Sequence, residues 1–389
     1  MNNDINIEDN KIKDYSKSES NVCKERNSSF ELLRIIAMIM IIFHHFEVYG
    51  RFCFDISSIT IPRLWCNFIV MGGKIGVNIF VLISGYFLIK NEGTLFNYKK
   101  ILKLWGQVIF YSVGIYIVFL ITGGKIFELK SFIKTLFPFS TDSWWFASRY
   151  LVLFLLSPFL NLFLKSISKK TYQAYLIIVV MWCSLIPTFI NTEYKNGELW
   201  WFIILYSIAG YIRLYGFNKV FKASFYFITF FIFSILTYML CVVYMVLGTE
   251  KMLFAGRCRM FYDEDKVTIL LISLTLFLTF TKIKINYSKI INTIASATFG
   301  VYLIHDNELV RDYIWNMRFR GSWYQDTTEL IPFSIFAIVV VFVICTIIEL
   351  VRKQVIEKPF MILVERYEDR LTKTFKDVFF SIKNFVFGK

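Results

Sequence analysis

Apolar residues in this chain come in long blocks separated by short polar stretches. The first block opens at Phe30, after a segment (residues 1–27) rich in Asn, Lys, Asp, Ser and Glu with no apolar period. Such a segment cannot bury enough apolar surface to order itself, so residues 1–28 are expected to form a disordered cytoplasmic tail. The block that follows has no small-residue cleavage site and reads as a membrane helix rather than a secretory leader. Crossing a bilayer takes about 20 mostly apolar residues. Blocks of that kind fall near residues 30–49, 66–89, 101–122, 144–164, 174–190, 199–215, 222–247, 267–281, 290–306 and 330–350. The pattern predicts an all-α, polytopic membrane helix bundle of about ten transmembrane helices, contained in residues 29–360. Beyond it, Val364, Tyr367, Leu371, Phe375, Val378, Ile382 and Phe385 recur at helical spacing among Arg366, Arg370, Lys373, Lys376 and Lys383. Residues 361–389 are therefore expected to form a basic amphipathic tail, lying on the anionic inner leaflet or simply solvated.

Composition narrows the class further. Of the 389 residues, 56% are hydrophobic and 43 are Phe, while charged residues supply 19%, against about a quarter in a soluble domain. Mean hydropathy is +0.55. A soluble globule of this length buries only about three quarters of its surface, which excludes a soluble enzyme, a disordered chain and a collagen-like fibre. Lys plus Arg number 43 and Asp plus Glu 29, a net charge of +14. On a soluble protein that excess would suggest nucleic acid. Here it gathers in short loops and tails, so it reports topology, and no nucleic-acid partner is expected.

An even number of spans puts both termini on one side. The inner loops then hold Lys90, Lys99, Lys100 and Lys103, next Lys165, Lys169 and Lys170, next Arg213, Lys219 and Lys222, and last Lys282, Lys284 and Lys289. The bases of the outer loops are offset by Asp55, Glu128, Asp142, Glu193, Asp263, Glu264 and Asp265. The expectation is N-in, C-in. Seven cysteines show no CxxC or Cys/His pair spacing, and no metal site is expected. Cys53 and Cys66 share one predicted outer loop, where they could form a disulfide.

Only three histidines occur, His44, His45 and His305, and all fall toward the outer ends of predicted spans. Ionisable groups within spans are costly and tend to face polar cavities, although a helix-end histidine can also simply meet the interface. Arg34 lies eleven residues before His45. Eleven helical steps return to within about 20° of the starting face and rise about 16 Å, whereas His44 points roughly 80° away from Arg34. Arg34 and His45 thus share one helix stripe, guanidinium low and imidazole high. Such a pair can flank an elongated anionic ligand, since Arg forks onto phosphate and a neutral imidazole can take a hydroxyl proton. The plainer alternative for Arg34 is a snorkelling anchor paired with Glu31.

The segment SSFELLRIIAMIMIIFHHF, with Arg34 and His45, resembles the opening of the acyltransferase-3 family of membrane acyltransferases. In order along residues 29–360, GKIGVNIFVLISGYFLI, WWFASRYLVLFLLSPFLN, ATFGVYLIHDNELVRDYIW and IEKPF resemble further elements of that family. The last pieces are most similar to members acting on bacterial capsule or cell-surface glycans. The resemblance implies a multi-pass protein of the bacterial inner membrane. It implies a cytoplasmic acyl-CoA co-substrate, usually acetyl-CoA, with no cofactor bound, and a glycan acceptor whose hydroxyl is acylated at the outer side. It further implies His45 as general base, Arg34 as support for the acyl donor, and His305 as a second catalytic histidine of less defined role.

The chain departs from the family where many members carry an Arg-x-x-Arg pair after the second span. Lys100 and Lys103 stand nearest that place, as point charges for the CoA phosphates or as ordinary positive-inside lysines. His44, Asn78, Arg149 and Asp306 are candidate acceptor-binding residues. Arg149 could bind an acidic sugar, orient Asp306, or snorkel beside Trp144 and Trp145. Asn78, Arg149 or a backbone N–H could serve the oxyanion. The alternative function is a transporter of a glycan or lipid-linked sugar, disfavoured because no internal repeat is evident. A sensor or scaffold with a degenerate site is a third reading. Oligomeric state is not legible.

Overall fold

The structure, a computed structural model, describes residues 26–91, 98–190, 197–217 and 221–367, with residues 370 and 374. The expected disordered tail, apart from its last three residues, and nearly all of the expected amphipathic tail beyond residue 367 lie outside the described residues, as do Glu193 and Lys219. The described residues are helical and contain no strand. Twelve helices position the site: α1 Ser28–Tyr49, α2 Ile61–Leu88, α3 Tyr98–Ile121, α4 Leu129–Leu136, α5 Trp145–Ser166, α6 Lys169–Val180, α7 Glu198–Tyr215, α8 Ala223–Glu250, α9 Val267–Lys282, α10 Lys289–His305, α11 Leu330–Arg352 and α12 Lys358–Arg366.

Local chemistry explains their starts. The Asn27 side chain accepts from the Ser29 N–H at the head of α1, and Thr60 accepts from Arg63 at the head of α2, where Pro62 also fits the first turn. Ser168 and Ser288 cap α6 and α10 in the same way. Inside the helices, hydroxyls return to the preceding turn. Ser84 donates to the Phe80 carbonyl, Ser273 to Ile269 and Thr279 to Thr275, which satisfies them without water.

Among the described residues, seven helices are long and apolar enough to cross a membrane: Ser28–Tyr49, Ile61–Leu88, Lys99–Ile121, Trp145–Ser166, Lys169–Phe189, Ala223–Glu250 and Leu330–Arg366. Val267–Lys282 is apolar but shorter. The other two blocks read from sequence, α7 and α10, are helices of 18 and 17 residues. Each of the ten blocks is thus helical, but seven, not ten, have the length and apolarity of a full span. Two runs are joined by π-turns, Met181–Leu185 after α6 and Lys353–Glu357 after α11. The second carries the last span onward into α12, past the expected boundary at residue 360. The disulfide that Cys53 and Cys66 could have formed is absent: Cys66 is buried in α2, Cys53 is exposed, and both are free.

Helix α2 is the axis of the bundle. In its most apolar stretch 83% of residues are buried, against 22% in α8. It packs on α1, α7 and α9, and α1 packs in turn on α10 and α11. Outward-facing Phe231, Ile235 and Leu236 of α8 are exposed, a surface suited to hydrocarbon rather than water. Between two helices in lipid there is no hydrophobic drive, so contact depends on close packing of small residues. Gly73 and Gly76 provide it. A Cβ on Gly76 would stand 2.6 Å from the Ala37 carbonyl oxygen, and one on Gly73 would stand 2.3 Å from the His44 ring. The α1–α2 contact that carries the histidines exists because these two positions have no side chain.

Gly76→Ala should therefore force α1 and α2 apart and cost about 1–3 kcal/mol. Thermal unfolding of the purified protein should give a lower Tm, and an unchanged Tm would show that the contact is slack.

Candidate active site

The chemistry-bearing residues gather along a string of three cavities between α1, α2, α3, α5 and α10. At one end a cavity of about 330 Å³ is lined by Arg26, Arg34, Lys100 and Lys103, with Ser84 and Gln107. A neck of about 40 Å³ follows, lined by His45 and Tyr302 among mainly apolar side chains. Beyond it lies a polar cavity of about 260 Å³, lined by His44, His45, Tyr49, Lys74, Glu198 and Glu264. Phe80, Phe146 and Phe299 wall both the basic cavity and the neck. Ile41, His45, Val77 and Trp145 wall both the neck and the far cavity. Arg34 lines the basic cavity, and His45, on the same helix, lines the neck and the far cavity.

His45 Nδ1 stands 2.9 Å from His305 Nε2, and His305 Nδ1 stands 2.6 Å from the Val301 carbonyl oxygen. A carbonyl only accepts, so His305 Nδ1–H donates to it. A neutral imidazole has one N–H, so His305 Nε2 accepts, and His45 Nδ1–H donates. His45 Nε2 is left with its lone pair. That nitrogen lies 3.7 Å from Asp306 Oδ1, close enough for the carboxylate to favour a proton arriving there. Asp306 Oδ1 is buried and lacks a hydrogen bond; Arg311 Nη1 lies 3.6 Å from it. Arg311 is held by Tyr49, donating to its hydroxyl at 2.9 Å and stacking on its ring at 4.4 Å. His44 Nδ1 donates to the Val70 carbonyl at 2.6 Å, so its own Nε2 is also a lone-pair nitrogen.

Two of the sequence-derived candidates sit differently from expectation. Arg149 does not meet Asp306. Its guanidinium hydrogen-bonds Asp142 and lies 3.6 Å from Glu198, and Arg311 takes the place beside Asp306. Asn78 is fully buried with both amide ends engaged: it donates to the Glu264 carbonyl at 2.9 Å and accepts from Trp201 Nε1 at 3.0 Å. Its amide pins the 256–266 connection to α2 rather than lining the three cavities. Of the oxyanion donors suggested by sequence, the Asn78 and Arg149 side chains are thus engaged with other partners. Arg34 donates to Glu31 at 2.8 Å and still lines the basic cavity. Lys103 pairs with Glu357 at 2.6 Å on the same wall.

Sequence reasoning passed over several ionisable groups inside apolar blocks, although that very placement was the available signal. Lys74 on α2 donates to Glu264 at 2.6 Å across the far cavity. Burial alone would raise the Glu264 carboxyl, but the Lys74 ammonium holds it below the usual carboxylate range. Glu47 receives both arms of Arg259, at 2.6 and 3.1 Å. Glu349, fully buried, accepts from Gln107 at 3.0 Å, Tyr111 at 2.6 Å and Arg352 at 2.7 and 2.9 Å. Arg352 also hydrogen-bonds Glu357, which holds Lys103. Through Gln107 and Lys103 this network reaches the wall of the basic cavity. Its carboxylate fits because Gly300 faces it, where a Cβ would stand 2.3 Å from Glu349 Cδ.

Comparison with known protein families matches residues 27–350 to acyltransferase 3, described as an acyltransferase domain. Neither a curated protein nor a solved structure matches.

Removing one partner of a buried ion pair leaves an uncompensated charge and costs about 3–5 kcal/mol. Glu349→Ala should therefore lower folded yield and Tm sharply, and Glu349→Gln, which keeps part of the hydrogen bonding, should do so less. Equal Tm values for both variants and the wild type would remove this network from the account of the basic end.

Proposed function

The chain belongs to the acyltransferase 3 family and is an acyltransferase; from that premise we propose that it carries an acyl group, most simply acetyl, from a cytoplasmic CoA thioester to a hydroxyl of a cell-surface glycan. The observation that carries this reading is the placement of Arg34 and His45 at opposite ends of one cavity string. In it the chain crosses a bacterial inner membrane ten times, N-in and C-in, with α7, α9 and α10 completing the spans. The basic end then faces the cytoplasm, as the positive-inside rule favours.

Arg26, Arg34, Lys100 and Lys103 offer positive charge to the phosphates of CoA. Arg34 adds a planar fork, while the lysines act as point charges. The neck takes the thioester. Its volume of about 40 Å³, room for roughly three waters, suits a short acyl group. The far cavity takes the acceptor: Trp145 presents an aromatic face, and Lys74, Glu198 and Glu264 present hydrogen-bonding groups. His45 Nε2 removes the hydroxyl proton, and Asp306 favours the resulting imidazolium. The alkoxide attacks the thioester carbon directly. His305 is a positioning residue, holding the His45 tautomer through its own bond to Val301.

In nanodiscs supplied with labelled acetyl-CoA and cell-envelope glycan, His45→Ala should lose about 10²–10⁴-fold in transfer while remaining folded. Full turnover in that variant would eliminate the base. Arg34→Ala should act mainly on KM for the donor, by about tenfold or more for one lost charge-assisted contact, with the acceptor KM little changed.

A further inference from the structure

Three residues of the neck carry a polar head: His45, Trp145 and Tyr302. His45 is bonded to His305, and Trp145 also walls the far cavity. Tyr302 stands apart. It precedes His305 by one helical turn, it is 5% exposed, and its hydroxyl makes no well-formed hydrogen bond, with the Asp306 carboxyl and the Phe146 backbone as its polar neighbours. A buried hydroxyl is ordinarily paired, so an unpaired one asks for a partner the resting protein does not supply. The ring has little freedom to turn away: it meets Phe146 edge-on at 5.7 Å and Phe299 at 6.2 Å, both of which also wall the neck. The neighbouring acceptor that could compete for the hydroxyl is Asp306, whose Oδ1 is likewise unbonded.

In the direct-transfer reading above, on which this inference rests, one atom in the neck needs a new donor. When the acceptor oxygen adds to the thioester carbon, the carbon–oxygen bond forms and the carbonyl electron pair moves onto its oxygen. The hydroxyl proton goes to His45 Nε2. When the oxyanion collapses, the carbon–sulfur bond breaks, the ester carbonyl is restored, and the proton passes to the leaving thiolate to give CoA thiol. We infer that the Tyr302 hydroxyl donates to that carbonyl oxygen and holds it while it carries the negative charge. Tyr302 is in this sense a catalytic residue, contributed by the same helix that positions His45.

Tyr302→Phe removes only the hydroxyl. With full-length protein in nanodiscs, kcat should fall by about 10²–10³, the usual effect of one oxyanion donor. KM for acetyl-CoA and for the glycan should stay within about threefold, because the contact is made only in the transition state. The Tm should stay close to wild type, since no well-formed hydrogen bond of the resting protein is lost. A kcat near wild type overturns the inference. So does a lowered Tm or loss of folded protein, which would make the hydroxyl structural. Wild type and His45→Ala run alongside. If wild type transfers no acyl group, the functional reading itself fails. If wild type is active, His45→Ala inactive and Tyr302→Phe unimpaired, only the role of Tyr302 fails.

Discussion

The Val301 carbonyl governs which nitrogen of the His45–His305 pair keeps a free lone pair. It receives the Nδ1 proton of His305, which leaves His305 Nε2 to receive the Nδ1 proton of His45. Of this histidine pair one nitrogen keeps its lone pair, His45 Nε2, 3.7 Å from Asp306 Oδ1. Because the carbonyl belongs to an unbroken helix turn, this choice needs no loop and no ordered ligand. It requires only that α1 and α10 stay in register, and their register depends on α2, against which α1 is seated by Gly73 and Gly76. Backbone geometry, helix contact and proton position are three levels of one arrangement.

Around that centre the protein separates its polar groups into two sets. Arg34, Lys100, Lys103, Glu349, Arg352 and Glu357 lie at one end; His44, Lys74, Glu47, Arg259 and Glu264 lie at the other. Ionised groups in a low-dielectric interior are tolerated when paired and hydrogen-bonded, and each set is closely paired. The side chains between them are aromatic and aliphatic, apart from His45, Trp145 and Tyr302. Placing few polar heads in a dry region makes each of them electrostatically strong.

The helical blocks were legible because lipid-suited helices are written locally, as runs of apolar residues. Lengths were less legible: α9 and α10 end where Lys282 and Asp306 intervene, and a hydropathy run does not reveal how many residues of it a helix will use. The common stripe of Arg34 and His45 was readable, since both lie on one helix and its pitch is fixed. Contacts between distant segments were not. His45 meets His305 across 260 residues, Gln107 meets Glu349 across 242, and Lys74 meets Glu264 across 190; no local spacing encodes them. Glu47, Lys74 and Glu349 did betray themselves as charges in apolar blocks, but their partners did not. Arg149 stood out for the same reason, but its partners Asp142 and Glu198 did not.

The aromatic constriction formed by Phe80, Phe146 and Phe299 has a meaning for the host cell as well as for the reaction. A water-filled bore through an energised bilayer would short-circuit its ion gradients. A narrow, greasy pinch expels liquid and blocks permeation by dewetting. In the proposed reading, the same rings that would confine a small acyl unit would also act as a plug, letting a group be handed across the barrier while protons and salts stay on their own sides.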